Sequence, residues 1–280
     1  MSHVHYHTAP PAPPSPHQGI KLLPSSSAAA SKTTIDECLW SVQHPELQKA
    51  CYLARVCAVH PPKSCQYRDV AGILQVGPTC GLTALSMLLG GATPPERLLA
   101  SAKELHYTNN GEIFSARNLL QLIRDHLMPT NNNDVDVARN ALECIMHEGR
   151  LNCAKVRNCL SALHFLTQIN SNKCSYDPDF NHAPCLKFGH KAHWALIVGY
   201  LISDNEQFFV LARHGKAKNL AVWSLEALSE SNANLVEFAQ PKGYPDCDFL
   251  LPPGGIGGDL GLRERAIIVK GLTNATILIR

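Results

Sequence analysis

His193-Trp194-Ala195-Leu196-Ile197-Val198-Gly199-Tyr200-Leu201 is a run of β-formers bounded by polar residues, and it reads as a buried strand. Ser203 to Glu206 follows as a hairpin loop, and Gln207 to Ala212 returns as the partner strand. Further short strands are predicted at Leu220–Trp223, Leu235–Phe238, Ala266–Val269 and Ala275–Ile279. The first half of the chain reads differently. Cys80 to Leu89 is an apolar helix stopped by Gly90-Gly91. Thr93 and Glu96 make a capping box, with Pro at the first turn, for a helix reaching about Leu105. Ser115 caps a third helix, with Leu119, Leu120, Ile123 and Leu127 on one face. Asp134–His147 and Val156–Ile169 are weaker helical stretches. Helices first and an antiparallel sheet later indicate an α+β fold.

Composition narrows the function classes. The 280 residues are 45% hydrophobic and 17% charged, an ordinary globular mixture, and 25 basic against 23 acidic residues leave a formal charge of +2. No global field points to nucleic acid or to a membrane surface. The longest near-apolar stretch, Ala192 to Ile202, is far short of the roughly 20 residues that span a bilayer. The N-terminus is His- and Pro-rich with no apolar signal region, which predicts a cytoplasmic protein. Eleven cysteines without a single CxxC pair then read as reduced thiols, mostly packing residues, and not as a zinc ribbon. Residues 1–34 form a Pro/Ser-rich tail expected to be disordered, containing the polyproline former Pro10 to Pro16. Residues 35–280 are expected to be one domain.

The chemistry concentrates in two segments. In Gln75-Val76-Gly77-Pro78-Thr79-Cys80-Gly81-Leu82, a cysteine opens an apolar helix, where the helix dipole favours the nucleophilic thiolate. Gln75, five residues upstream, can curl back so that its amide and the Cys80 N–H form an oxyanion hole for acyl transfer. In Gly189-His190-Lys191-Ala192-His193-Trp194, a histidine begins the buried strand, where it can take the thiol proton and later protonate a leaving amine. His190, His193 and Cys185 lack the glutamate and fourth ligand that a zinc site would need, so no metal and no cofactor is expected. Arg213, Lys216 and Lys218, with His214, make a small basic cluster after the second strand.

Gln-x-x-x-x-Cys-Gly before a helix, then His-Trp before an apolar strand, resembles the papain-like cysteine peptidases of the bacteriocin-processing (C39-like) group. The fuller set QVGPTCGLTALSMLLGG, GEIFSARNL, YDPDFNHAPC, GHKAHWALIVGYL, ARHGKAKNLAVWSLEAL and SESNANLVEF resembles the actin maturation protease family, from about residue 70 to the C-terminus. The resemblance implies a papain-like fold and a cytosolic aminopeptidase that removes N-acetylated Met or Cys from immature actin. It assigns Cys80 as nucleophile, His193 as general base and acid, and Gln75 as oxyanion donor. Actin's acidic N-terminus would suit Arg213, Lys216 and Lys218, and profilin would be a partner for Pro10–Pro16. One departure stands out. Related peptidases place Asp or Asn on the strand after the histidine to orient it, whereas this strand ends Ala212-Arg213-His214-Gly215. Asp204 and Asn205 lie in the intervening loop, too far away; Asp177, Asp179, a backbone carbonyl or a water remain open for the role. That gap keeps two alternatives in view: a papain-like peptidase of other specificity, deubiquitinase-like, and an inactive adaptor binding actin or profilin.

Overall fold

A computed structural model describes residues 38–56, 61–127, 142–161, 169–180, 182–241, 243–272 and 276–279. The expected tail at 1–34 and its Pro10–Pro16 run lie outside the described residues. Six α-helices are present among those described: α1 (Pro45–Leu53), α2 (Cys80–Leu88), α3 (Pro95–Glu104), α4 (Ala116–Leu127), α5 (Ala154–Ser161) and α6 (Leu225–Ala233). Nine strands among the described residues form one sheet: β1 (Ser64–Arg68), β2 (Glu143–Glu148), β3 (Ile169–Pro178), β4 (Pro184–Cys185), β5 (His193–Ile202), β6 (Phe208–His214), β7 (Ala221–Ser224), β8 (Arg265–Leu272) and β9 (Thr276–Ile279). The main path runs β2-β8-β3-β5-β1-β9, with β4 on β3 and the pair β6-β7 on β5, every pairing antiparallel. The fold is α+β.

β5 is the hub. Its first half pairs with β3, its second half with β1, and its other edge with β6. Helix α2 packs on β5 and β6, while α6 packs against β3, β4, β6 and β7. Nine of the ten β5 residues are therefore buried. That explains a continuous apolar run in place of strict alternation. All nine residues of α2 are buried too, which is why its sequence is apolar all round.

Several boundaries differ from the sequence expectation. Pro94 is the N-cap of α3 and no side chain caps that end, because the helix starts at Pro95 and leaves Thr93 outside. Ser115 does act as expected, its Oγ accepting the Asn118 N–H at 3.3 Å. The stretch Asp134–His147 is not a helix where it is described: Glu143–Glu148 is β2, an edge strand laddered to β8. Its residues 134–141 lie outside the described set. Likewise Ile169 does not end a helix but opens β3. Leu235–Phe238 is not a strand, since Val236 and Glu237 both donate their N–H to the single carbonyl of Phe188. β1 and β2 carry the sheet into the first half, and α6 carries helix into the second, so the two halves are not cleanly segregated.

Cys51, Cys65, Cys144, Cys153, Cys159, Cys185 and Cys247 are outside any disulfide, as is Cys80. Cys38 departs from the expectation of reduced thiols, being disulfide-bonded. Among the described residues, no helix is long and apolar enough to cross a membrane.

Candidate active site

Cys80 is the first residue of α2, after an N-cap, Thr79, whose side chain does not cap the helix. Thr79 Oγ1 turns back to the Val76 carbonyl at 2.9 Å, and its carbonyl accepts the Thr83 N–H at 2.8 Å. Among the described residues, no side chain caps this end, so the Cys80 N–H has no intrahelical acceptor and faces whatever lies before the helix. The Cys80 sulfur itself accepts the backbone N–H of Trp194 and that of Gly81. The nucleophile candidate thus abuts the strand that begins at His193. Trp194 secures this contact: its indole N–H donates to the Ile113 carbonyl at 2.9 Å. The ring lies so close to α2 that a Cβ on Gly81 would stand 3.1 Å from Trp194 Cδ1.

Gln75 comes to the same place by another route. Its backbone N–H donates to the Gly215 carbonyl at 2.8 Å, which ties the loop before α2 to the end of β6. Its Nε2 donates one hydrogen to the Gly77 carbonyl at 2.8 Å, and the amide has a second to offer.

His193 is 4% exposed. Its cross-strand partner on β3 is Tyr176, whose ring meets the imidazole edge-on with centroids 5.7 Å apart. His214 lies on its other side at 6.3 Å, and Trp223 and His182 pack in turn on His214 at 5.7 and 5.4 Å. Among the described residues, no hydrogen bond joins the Cys80 thiol to the His193 ring, and His193 Nε2 is buried without a partner. Among the described residues, no carboxylate or amide is hydrogen-bonded to the imidazole.

The electrostatics correct the expectation of a resting thiolate. Burial pushes the Cys80 thiol up to about 11; the N–H of Trp194 and of Gly81 and the charge of Lys216 pull down, while Glu112 adds to the rise. A helix N-terminus contributes at most about 2 kcal/mol, or roughly 1.5 pH units, so desolvation outweighs it here. Burial likewise drives His193 well below the ordinary histidine value, aided by His214, Lys216 and His182. Both shifts favour the neutral thiol and the neutral imidazole over the ion pair.

The basic cluster divides. Arg213 is 2% exposed and turned inward, paired with Glu46 of α1 through both terminal guanidinium nitrogens and donating to the Lys218 carbonyl at 2.8 Å. Burial alone would raise the Glu46 carboxyl, yet Arg213 and the Leu220 N–H hold it below its ordinary value. Arg213 is therefore not free to meet a substrate, contrary to its placement in the cluster; it staples α1 to the turn after β6. Lys216 and Lys218 are exposed. Lys216 is the one whose charge reaches Cys80, Glu112, His193 and His214.

The model of the family described as actin maturation protease-like, C-terminal domain, matches residues 70–201, a span containing Gln75, Cys80 and His193. A Drosophila melanogaster protein named actin maturation protease is 56% identical over 247 residues, covering 88% of this chain and 86% of its own length. The chain belongs to the actin maturation protease family. A Danio rerio member of that name is 30% identical over 74% of each chain, and a Mus musculus member 28% identical over 72% of this chain and 62% of its own. No solved structure matches the chain.

Two groups at the site escaped the sequence reading. Glu112 sits in the segment that Trp194 pins through Ile113, and its Oε2 is buried without a partner. Burial raises its carboxyl to about 7 against the pull of its own N–H and of Lys216. It falls within GEIFSARNL, a block whose likeness to the family was visible but whose proximity to Cys80 was not. His214 is the last residue of β6, the strand after the histidine, with its ring beside His193. Burial, with His182, Lys216 and Arg213, lowers it to about 4, so it stays neutral at physiological pH. His190 is engaged with Glu237 at 2.5 Å rather than with His193. Among the described residues, no three His, Cys, Asp or Glu are grouped to hold a metal.

Proposed function

We propose that this member of the family is a papain-like cysteine aminopeptidase that removes an N-acetylated methionine or cysteine from the N-terminus of immature actin. The observation that carries the reading is the Cys80 thiol at the first residue of α2, accepting the N–H of Trp194 one peptide bond from His193. The substrate comes from the relatives, which are named actin maturation proteases.

In the reaction, Cys80 sulfur attacks the carbonyl carbon of the acetylated residue while its proton passes to His193. The uncovered Cys80 N–H and the second hydrogen of Gln75 Nε2 receive the oxyanion. His193 then gives the proton to the departing amine, which becomes the new actin N-terminus, and water hydrolyses the thioester to free the acetylated residue. Because both resting groups are neutral, the proton moves as the sulfur attacks, and substrate binding has to bring ring and thiol together. Apo geometries of this kind tighten in the complex. An acetylated terminus has no ammonium for a metal aminopeptidase to grip, and a cysteine nucleophile needs none. Lys216, exposed beside the site, attracts the acidic residues that follow the scissile bond. The cytoplasm is where actin is met, and Pro10–Pro16 would dock profilin-borne actin.

Mass spectrometry of actin N-termini in cells with and without this protein tests the reading. Acetylated, unprocessed actin should accumulate in its absence. Unchanged N-termini would favour the inactive adaptor instead.

A further inference from the structure

The turn that delivers His193 to its strand is held in an unfavourable shape. Phe188 has φ +59° and Gly189 φ +99°, on the side of the map that side chains avoid. A Cβ on Gly189 would strike Ile256 and stand 2.7 Å from the Glu237 carbonyl, so the turn is also tightly packed. Backbone of this kind persists only where its surroundings over-determine it.

One carboxylate supplies most of that determination. Asp177 is fully buried. Its Oδ2 accepts the N–H of Lys187 at 3.2 Å and of Gly189 at 2.5 Å, and its Oδ1 accepts the N–H of Lys191 at 3.0 Å. Among the described residues, no ion pair joins it to a cation. Its charge is therefore spent on three alternate amides of a five-residue turn, the strong kind of hydrogen bond. Asp177 is itself fixed, since its N–H donates to Ser231 Oγ at 2.9 Å, and that hydroxyl lies 2.6 Å from the Cys185 carbonyl to which it donates. The preceding residue, Tyr176, is the cross-strand partner of His193 and packs against its ring. Two consecutive residues of β3 thus grip the histidine, one by its ring and the other by the chain leading into it.

We propose that Asp177 is the positioning residue for His193, acting through the 187–191 turn and not through an imidazole nitrogen. The proposal rests on the reading of His193 as the general base. It accounts for a peptidase strand that ends in His214 where an amide or carboxylate was expected: orientation is supplied from the opposite neighbour, through backbone.

The test uses the full-length protein on an N-acetylated peptide with acidic residues after the first, comparing wild type, Asp177→Asn, Asp177→Ala and His193→Ala. A group that sets position should change kcat, because a displacement of about 1 Å costs about 10²-fold in rate. Asp177→Asn should lose about 10²-fold in kcat and Asp177→Ala more, with KM within about twofold and the acid limb of the pH profile unmoved. In the wild type, the amides of Lys187, Gly189 and Lys191 should exchange with solvent on the order of 10³-fold more slowly than free amides. Full activity in folded Asp177→Asn would overturn the proposal. So would a displaced acid limb, which would mean that the carboxylate acts on the charge of the imidazole. Unprotected amides in the wild type would overturn it without any variant having to fold. Retained turnover in His193→Ala would instead sink the reading of His193, and the proposal with it, even with the three amides protected.

Discussion

The Cys80 end of α2 and the His193 end of β5 are built by opposite means. Gln75 to Leu88 is one continuous segment: Thr79 bonds Val76 and Thr83, Gln75 bonds Gly77, and the helix supplies its own free N–H groups. His193 depends on residues from distant stretches, namely Tyr176 and Asp177 on β3, His214 on β6 and Trp223 on β7. A locally specified nucleophile tolerates drift elsewhere in the chain, whereas a base assembled from three strands reports on the whole sheet. The two meet through a backbone atom, the Trp194 N–H on the Cys80 sulfur. Bringing the side chains into register is therefore left to substrate binding.

The most severe way to break either half is to delete its reacting group. Cys80→Ala should keep the fold, since a small residue replaces a buried thiol, and should abolish turnover by about 10⁴- to 10⁶-fold. His193→Ala should be nearly as damaging. If peptide assays show the purified Cys80→Ala protein still cleaving, the cysteine leaves the mechanism. Gln75→Ala comes next, with an expected loss of about 10²- to 10³-fold in kcat, as for one oxyanion donor. An undiminished kcat would mean that Nε2 serves only the Gly77 carbonyl.

The same contrast decides what could be read from the sequence. Segments whose structure is local were legible: α2 from its apolar run and glycine stop, α4 from its Ser115 cap, and the β5-β6 hairpin from its polar loop. Cys80, Gln75 and His193 stood out as candidates because each sits at the edge of such a segment. β3 was not legible. Ile169-Asn170-Ser171-Asn172-Lys173-Cys174 is polar, and it is a strand because β5 and β8 ladder to it on both sides. Missing β3 hid the position of Asp177, which in sequence is only one acid in a loop-like stretch. Arg213 misled for the same reason: its partner, Glu46, lies 167 residues away. The expectation of a thiolate at Cys80 rested on the helix dipole, which can be read locally, whereas burial cannot.

Lys216 probes the rim that both halves share. Its charge reaches the thiol and the imidazole, and it is exposed to incoming acidic residues. Lys216→Ala should lower kcat/KM on a peptide with acids after the scissile bond by about 5-fold, corresponding to about 1 kcal/mol for one solvated contact. Raising the salt should reproduce the loss in wild type and leave the variant indifferent. A peptide with neutral residues in those places should not distinguish the two proteins. Equal losses on both peptides would reduce Lys216 to a solvated turn residue.

Glu112 carries the smallest expected effect and separates burial from charge at Cys80. Its carboxyl, raised to about 7, is mostly protonated at pH 5.5 and mostly ionised at pH 8.5. Only the ionised form opposes the thiolate, so its influence on Cys80 should appear with rising pH. Glu112→Gln keeps the shape and removes the charge. In the variant the thiol should titrate lower by about half a pH unit, giving about 3-fold faster alkylation of Cys80 at pH 8.5. At pH 5.5 the variant and wild type should react alike, both slowly, because burial still holds the thiol protonated. Lys216 should moderate the difference, and Lys216→Ala should widen it. The measurement is the alkylation rate of Cys80, followed by peptide mass spectrometry across that pH range. A ratio that stays constant with pH would show that Glu112 does not act on the sulfur through its charge. Rapid alkylation already at pH 5.5 would restore the dipole-stabilised thiolate and place Cys80 closer to an ion pair than its burial allows.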